Sequence, residues 1–145
     1  MAELAEQHII APYDSSWYHL GCDLRRDVFM DEQGVSLQDE FDGKDPEASH
    51  IVTVQDGAVV GVLRILWLPE NAKIGRFAVK KSLRQQGVGS RLFHTALSFI
   101  ERKGQENVML EAQLASIGFY ENFGFEAHGE EYLDAGILHR VMKNY

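Results

Sequence analysis

A single cysteine, Cys22, stands in 145 residues. That excludes an internal disulfide framework and fits a reducing compartment, so a cytoplasmic location is expected. No apolar run is long enough to span a bilayer, and the N-terminus lacks the basic and apolar regions of a secretory signal. No membrane partner is expected. Positive charge is in the minority, with 14 Lys and Arg against 22 Asp and Glu and a net charge of −8. This argues against general nucleic-acid affinity. It favours a cationic partner by long-range steering, and it also serves plain solubility. No internal repeat, low-complexity stretch or linker interrupts the chain.

What is present is ordinary globular composition, 45% apolar and 25% charged, at a length that suits one domain over residues 1–145. His8 to Ala11 reads as a short first strand. Asp14 or Ser15 is a plausible N-cap for a helix running to about Met30, with Trp17, Leu20, Leu24 and Val28 on one face. Cys22 falls within this helix and reads as a packed thiol. The segment from Asp31 to Ala48 is polar and acidic. It lacks the ligand spacing of a calcium-binding loop, and no metal is expected.

His50 to Gln55, the Asp56–Gly57 turn and Ala58 to Leu68 form a strong hairpin signal, which Pro69 ends. Ala72 to Val79 supplies a third strand, so Arg64 and Arg76 fall on neighbouring strands. Each then needs a partner: an ion pair with Glu40, Asp42 or Glu111, or a carboxylate on a ligand. Apolar residues recur at helical spacing from Val88 to Ile100, and Lys103–Gly104 closes that helix. Asn107 to Ala112 reads as a buried strand and Gln113 to Asn122 as a short helix. Phe125 to Tyr132 and Ile137 to Met142 pair at the end. Antiparallel strands followed by a strand–helix–strand crossover predict an α+β fold with a mixed, largely antiparallel sheet flanked by helices.

The junction between Val79 and the long helix organises the rest. It carries Arg84-x-x-Gly87-x-Gly89, preceded by Lys80 and Lys81. Free amides at a helix start and the positive end of its dipole favour a bound anion, and glycine lets the backbone approach it. The pattern is neither a dinucleotide fingerprint nor a Walker A loop. Two glycines at such a junction are also ordinary turn chemistry.

A second block, from Leu110 through Gln113 and Tyr120 to Gly124 and Phe125, follows at a defined distance. The two blocks together resemble the GNAT superfamily of coenzyme-A-dependent N-acetyltransferases. The stretches Val28–Gly34, Glu40–Asp45 with His50, and Asp134–Met142 are similar to its ElaA-like branch. The resemblance implies a single-domain acyl-CoA N-acyltransferase fold using acetyl-CoA as co-substrate. Main-chain groups of Phe77 and Val79 would hold pantetheine, and the backbone N–H of Ala78 or Val79 is the candidate to stabilise charge on the carbonyl oxygen. Arg84 and the turn of Gln85, Gln86, Gly87, Val88, Gly89 and Ser90 would hold pyrophosphate. Lys80, Lys81 and Arg91 are either 3′-phosphate ligands or solvated charges. Gln113 stands where many members carry an asparagine against pantetheine.

Tyr120 matches the superfamily's general acid, although Phe119, Phe123 and Phe125 beside it also suit core packing. Glu111, His50, His139 and Glu40 are the candidate bases, with a water chain as an alternative. The acidic segment, with Glu40, and His50, Arg64, Arg76 and His139 would face the acceptor. No matched nucleophile exists, so direct attack by a small-molecule primary amine in a ternary complex is expected. Acetylation of peptides, a non-catalytic acyl-CoA-binding module and a nucleotide-binding protein are the competing readings. Dimerisation is common in the superfamily, and a homodimer is allowed without any marked interface.

Overall fold

The computed structural model describes residues 5–145. The first four positions, which the domain reading and the absence of a signal region include, lie outside the described residues. Seven strands form one sheet: β1 (Glu6–Ile10), β2 (Ser49–Gln55), β3 (Ala58–Trp67), β4 (Ala72–Val79), β5 (Val108–Gln113), β6 (Glu126–Asp134) and β7 (Ile137–Lys143). Their spatial order is β1-β2-β3-β4-β5-β7-β6. The β4–β5 pair is parallel and every other pair is antiparallel. This is the mixed α+β sheet predicted from the hairpin and crossover signals. The last strand inserts between β5 and β6, which leaves β6 at the edge.

Four helices flank the sheet. Ser15 caps α1 (Ser16–Arg25), its Oγ accepting from the Tyr18 amide at 3.2 Å. The helix then continues as π-helical turns from Arg26 to Glu32, two residues beyond the expected end. Gln33 N–H closes it by donating to Val28 O, five residues back. The buried face holds Tyr18, Gly21, Cys22, Leu24, Arg25 and Val28; Leu20, expected on that face, is 43% exposed. The buried stripe is centred on Gly21, Arg25 and Val28, and Leu20 lies beside it on the helix surface. The remaining helices are α2 (Leu37–Glu40), α3 (Val88–Arg102) and α4 (Ile117–Glu121).

Strands β2 and β3 are buried on both faces, which explains their nearly continuous apolar runs. Ile51, Leu63, Ile65 and Ile74 meet α3 through Leu92, Phe93, Ala96 and Ile100. Val52, Val54, Val62 and Ala78 meet α1 through Tyr18, Cys22 and Leu24. Phe93 is fully buried and anchors an aromatic cluster with Phe77, Phe119, Tyr120, Phe123 and Phe125, at centroid distances of 4.8–5.9 Å. The cluster ties β4, α3 and α4 together.

A buried ionic cluster fastens the acidic segment to the sheet. Arg25 Nε donates to Glu40 Oε2 at 2.6 Å and Arg25 Nη1 to Asp45 Oδ2 at 2.8 Å. Tyr18 Oη donates to the same Asp45 oxygen at 2.6 Å. Arg64 grips Asp42 with two parallel bonds, 2.8 and 3.0 Å, and reaches Asp45 Oδ1 at 3.1 Å. Arg76 completes the set, donating to the main-chain oxygens of Asp39 and Glu40. Burial opposes ionisation of Asp42. Arg64's hydrogen bonds, the Lys44 amide and the charges of Arg64 and Arg76 outweigh it and hold the carboxyl well below the usual range. Burial likewise opposes ionisation of Asp45, and Tyr18, Arg25 and Arg64 reverse it.

Phe93→Ala should destabilise the protein by about 3–5 kcal/mol, since it empties a fully buried aromatic site. Urea unfolding would show a lower midpoint with an unchanged slope. Arg25→Ala should cost about 3–5 kcal/mol, because Glu40 and Asp45 then stay buried without their cation. Both aspartates have depressed folded values. The stability they contribute is therefore complete above the unfolded value of ~3.9 and is lost as pH falls through the folded one. Unfolding free energy measured against pH should drop below about pH 4, and Arg64→Gln should flatten that drop.

Candidate active site

β4 and β5 share a ladder only over Ala72–Val108, Lys73–Met109 and Ile74–Leu110. Beyond it β4 pairs with β3 alone and β5 with β7 alone. A cavity of about 420 Å³ lies along this parting, with Gly75 to Val79 on one side and Glu111 and Gln113 on the other. The β3–β4 register shifts between Val62 and Arg64, opposite Arg76, whose φ of +50° is a left-handed conformation rare outside glycine. Three acceptor groups of the acidic segment hold Arg76 in that conformation. The cavity's far end is walled by Asp39, Glu40 and Asp42 of the α2 segment and by Asp134 and Ala135 at the β6–β7 turn.

On the glycine-turn side, Phe77, Ala78, Val79, Arg84, Gln113 and Tyr120 line the cavity. Lys80 N–H donates to Val60 O at 2.8 Å. Antiparallel alternation then makes Val62 and Ala78 a hydrogen-bonded pair and turns the Val79 amide toward the cleft. Of the two main-chain groups expected to polarise a carbonyl, Ala78 is therefore engaged with β3, and Val79 remains. Gln85, Gln86, Gly87, Val88, Gly89 and Ser90 sit outside the cavity, in the turn and the first turn of α3. Gly87 has φ +84° and no side chain to cap the helix, so the leading amides of α3 receive no side-chain partner.

Several expected ligands are already engaged. Arg84 pairs with Glu32 through two bonds of 2.9 and 2.8 Å and donates to Val79 O at 3.0 Å. Arg91 is gripped by Glu6. Gln113 donates to Gln33 Oε1 at 2.9 Å. The adjacent residues Glu32 and Gln33 thus bind both walls of the parting, a link that no local pattern announces. Tyr120 is packed by Phe77, Phe93 and Phe119, and its hydroxyl has no hydrogen-bond partner among the described residues. Burial raises its ionisation above that of an ordinary tyrosine.

On the acceptor side the candidate residues separate. Glu40 and His50 are buried: Glu40 between Arg25 and Arg76, His50 with Nε2 on Asp45 O at 2.9 Å. His50 does not line the cavity, contrary to its expected substrate contact, because it faces Tyr18 across 4.8 Å behind the ionic cluster. Arg64 and Arg76 line the cavity and both pair with the acidic segment, while Arg64 Nε is buried without a partner among the described residues. Glu111, the alternative partner for them, pairs instead with Lys73 and accepts from Tyr132 Oη at 2.6 Å.

His139 is 9% exposed and lines the cavity. Its Nδ1 lies 2.7 Å from Ile137 O. The Tyr132 ring stacks over it at 6.1 Å and 26°. Tyr132 and Lys73 were not singled out from sequence. Their proximity to Glu111 and His139 follows from β7 lying between β5 and β6, where Gln113 and Tyr132 both register against His139.

The acetyltransferase (GNAT) domain family matches residues 21–145. The uncharacterized N-acetyltransferase YjcF of Bacillus subtilis (strain 168) is 33% identical over 120 residues, covering 82% of this chain and 86% of that protein. The crystal structures of an acyl-CoA N-acyltransferase from Pseudomonas aeruginosa and of Escherichia coli ElaA each superpose with a TM-score of 0.85. Each is 29% identical and covers 99% of this chain and all of its own. With a parted parallel strand pair, a glycine turn opening α3 and this match over most of its length, the chain belongs to the GNAT acetyltransferases and is an acyl-CoA-dependent acetyltransferase.

Proposed function

We propose that the protein transfers the acetyl group of acetyl-CoA to the primary amine of a small molecule, by direct attack in a ternary complex. The observation that carries this reading is the carboxylate-lined far end of the cleft, where Asp39, Glu40, Asp42 and Asp134 stand with Lys44, Arg64 and Arg76. Asp39 and Asp134 line it with no basic partner among the described residues. A volume of about 420 Å³ suits a small ligand. The net charge of −8 draws cations toward it.

The turn fits a polyanionic donor. A Cβ on Gly87 would lie 2.6 Å from Arg91 Nη1, and one on Gly89 would lie 3.5 Å from Phe77 and Val79 side-chain atoms. The uncapped amides of Val88, Gly89 and Ser90 supply donors without a counter-charge. Acetyl-CoA, when bound, supplies an activated acyl carbon and a thiol leaving group. The Val79 N–H is aimed to stabilise negative charge on an acyl oxygen. Tyr120 Oη keeps its proton at neutral pH, because burial raises its ionisation, and is free to donate to a departing sulfur. The buried Cys22 packs against α1's face of the sheet, away from the cleft, and takes no part.

Calorimetry with acetyl-CoA should show micromolar-range binding by the wild type and none by Gly89→Trp, whose side chain is driven into Phe77 and Val79. Tyr120→Phe should bind acetyl-CoA equally well and lose about 10²-fold in kcat. Free-thiol release across polyamines, amino sugars, amino acids and peptides should select a small amine. Turnover confined to peptides would overturn the acceptor assignment.

A further inference from the structure

We propose that His139 Nε2 is the general base that takes the proton from the acceptor nitrogen. The inference rests on amine acetylation as the reaction. It begins with a tautomer. Ile137 O lies 2.7 Å from His139 Nδ1, and a carbonyl oxygen can only accept. Nδ1 therefore carries the hydrogen, and in the neutral ring the lone pair is on Nε2. That atom has no hydrogen-bond partner among the described residues, and the side chain lines the cavity.

The other candidates lack such an atom. His50 Nε2 is taken by Asp45 O and the ring is outside the cavity. Glu40 is clamped by Arg25 and Arg76. Burial opposes ionisation of Glu111, but Lys73 and the Tyr132 hydroxyl hold its carboxyl below the ordinary range, and it would have to shed both donors to act.

A neighbour on the adjacent strand orders the ring. Tyr132 stacks on the ring and fixes its plane while its hydroxyl is tied to Glu111. The charged groups that line the cavity on this side are Lys73 from β4, Glu111 from β5 and Asp134 from β6; Tyr132 stands beside the ring outside the lining, and Asp39, Glu40, Asp42, Lys44, Arg64 and Arg76 line other parts of it. Lys73 and Glu111 neutralise one another. The acceptor nitrogen loses one proton in passing from ammonium to amine and a second as it gains the acetyl carbon, while the sulfur leaves and gains one. Nε2 receives the first of these protons and releases it to solvent before the next turnover.

The test is the pH dependence of kcat/KM for three proteins with one amine acceptor, beside acetyl-CoA affinity by calorimetry. His139→Asn keeps an N–H for Ile137 O but has no basic atom. It should bind acetyl-CoA within threefold of wild type, lose about 10²–10⁴-fold in rate at neutral pH, and regain much of it at alkaline pH as the amine deprotonates unaided. Glu111→Gln should keep the wild-type shape of the profile. A Glu111→Gln profile that takes on the alkaline dependence expected of His139→Asn would overturn the proposal, even if His139→Asn did not fold. So would a His139→Asn rate within threefold of wild type. Failure of the wild type to turn over any amine would sink the acceptor reading, and this proposal with it.

Discussion

After Ile74 and Leu110 the two central strands no longer bond to each other, and the cavity lies in the gap this leaves. A parallel pair opened in mid-sheet exposes main-chain donors and acceptors that a folded protein ordinarily satisfies. The gap persists because each wall is held from its other side. β4 is bonded to β3 with a bulge at Arg76, and β5 is bonded to β7. The aromatic cluster around Phe93 packs one face of the opening, and the first helix packs the opposite face. The parting is thus a property of the whole sheet, and the Val79 amide faces it for the same reason.

The acidic segment plays two parts. Glu40, Asp42 and Asp45 serve structure, since Arg25, Arg64 and Arg76 engage them and pull the segment over the end of the cleft. Removing two charges from water is costly, and an ionic cluster of this kind is weak grounds for claiming net stability over an apolar core. Its consequence here is positional. The cluster fixes α2 as one wall of the cavity and leaves Asp39 facing the cleft without a cation. Glu32 and Gln33, at the end of the π-helical turns, bridge to Arg84 and Gln113 across the opening. The end of the first helix therefore touches both walls of the opening.

Much of the candidate site was legible because it rests on local chemistry. Gly87 and Gly89 mark a turn that needs positive φ and an uncapped helix start, and both needs are written in residue type. The Asp56–Gly57 hairpin and the Ser15 cap were readable for the same reason. Leu20 was misplaced because a face read from apolar spacing ignores which polar side chains the core will accept, and here Arg25 is buried while Leu20 is not. His50 looked like a ligand-facing residue, whereas ion pairs with Glu40 or Asp42 were already one reading of Arg64 and Arg76. Their partners come from a segment of the chain whose path no periodicity describes.

The amino-acid sequence by itself determined the strand and helix succession, the glycine turn that opens α3 and the presence of a tyrosine at a set distance from it. These depend on interactions within a few residues, or on a motif pair. Only the tertiary structure decided which charges remain available for chemistry. Insertion of β7 beside β5 brings His139, Tyr132, Glu111 and Lys73 into one group and ties the His139 Nδ1 proton to Ile137 O. Whether an ionisable side chain is a free base or half of an ion pair depends on partners that are distant in sequence, and contacts of that range form only when the sheet closes its order.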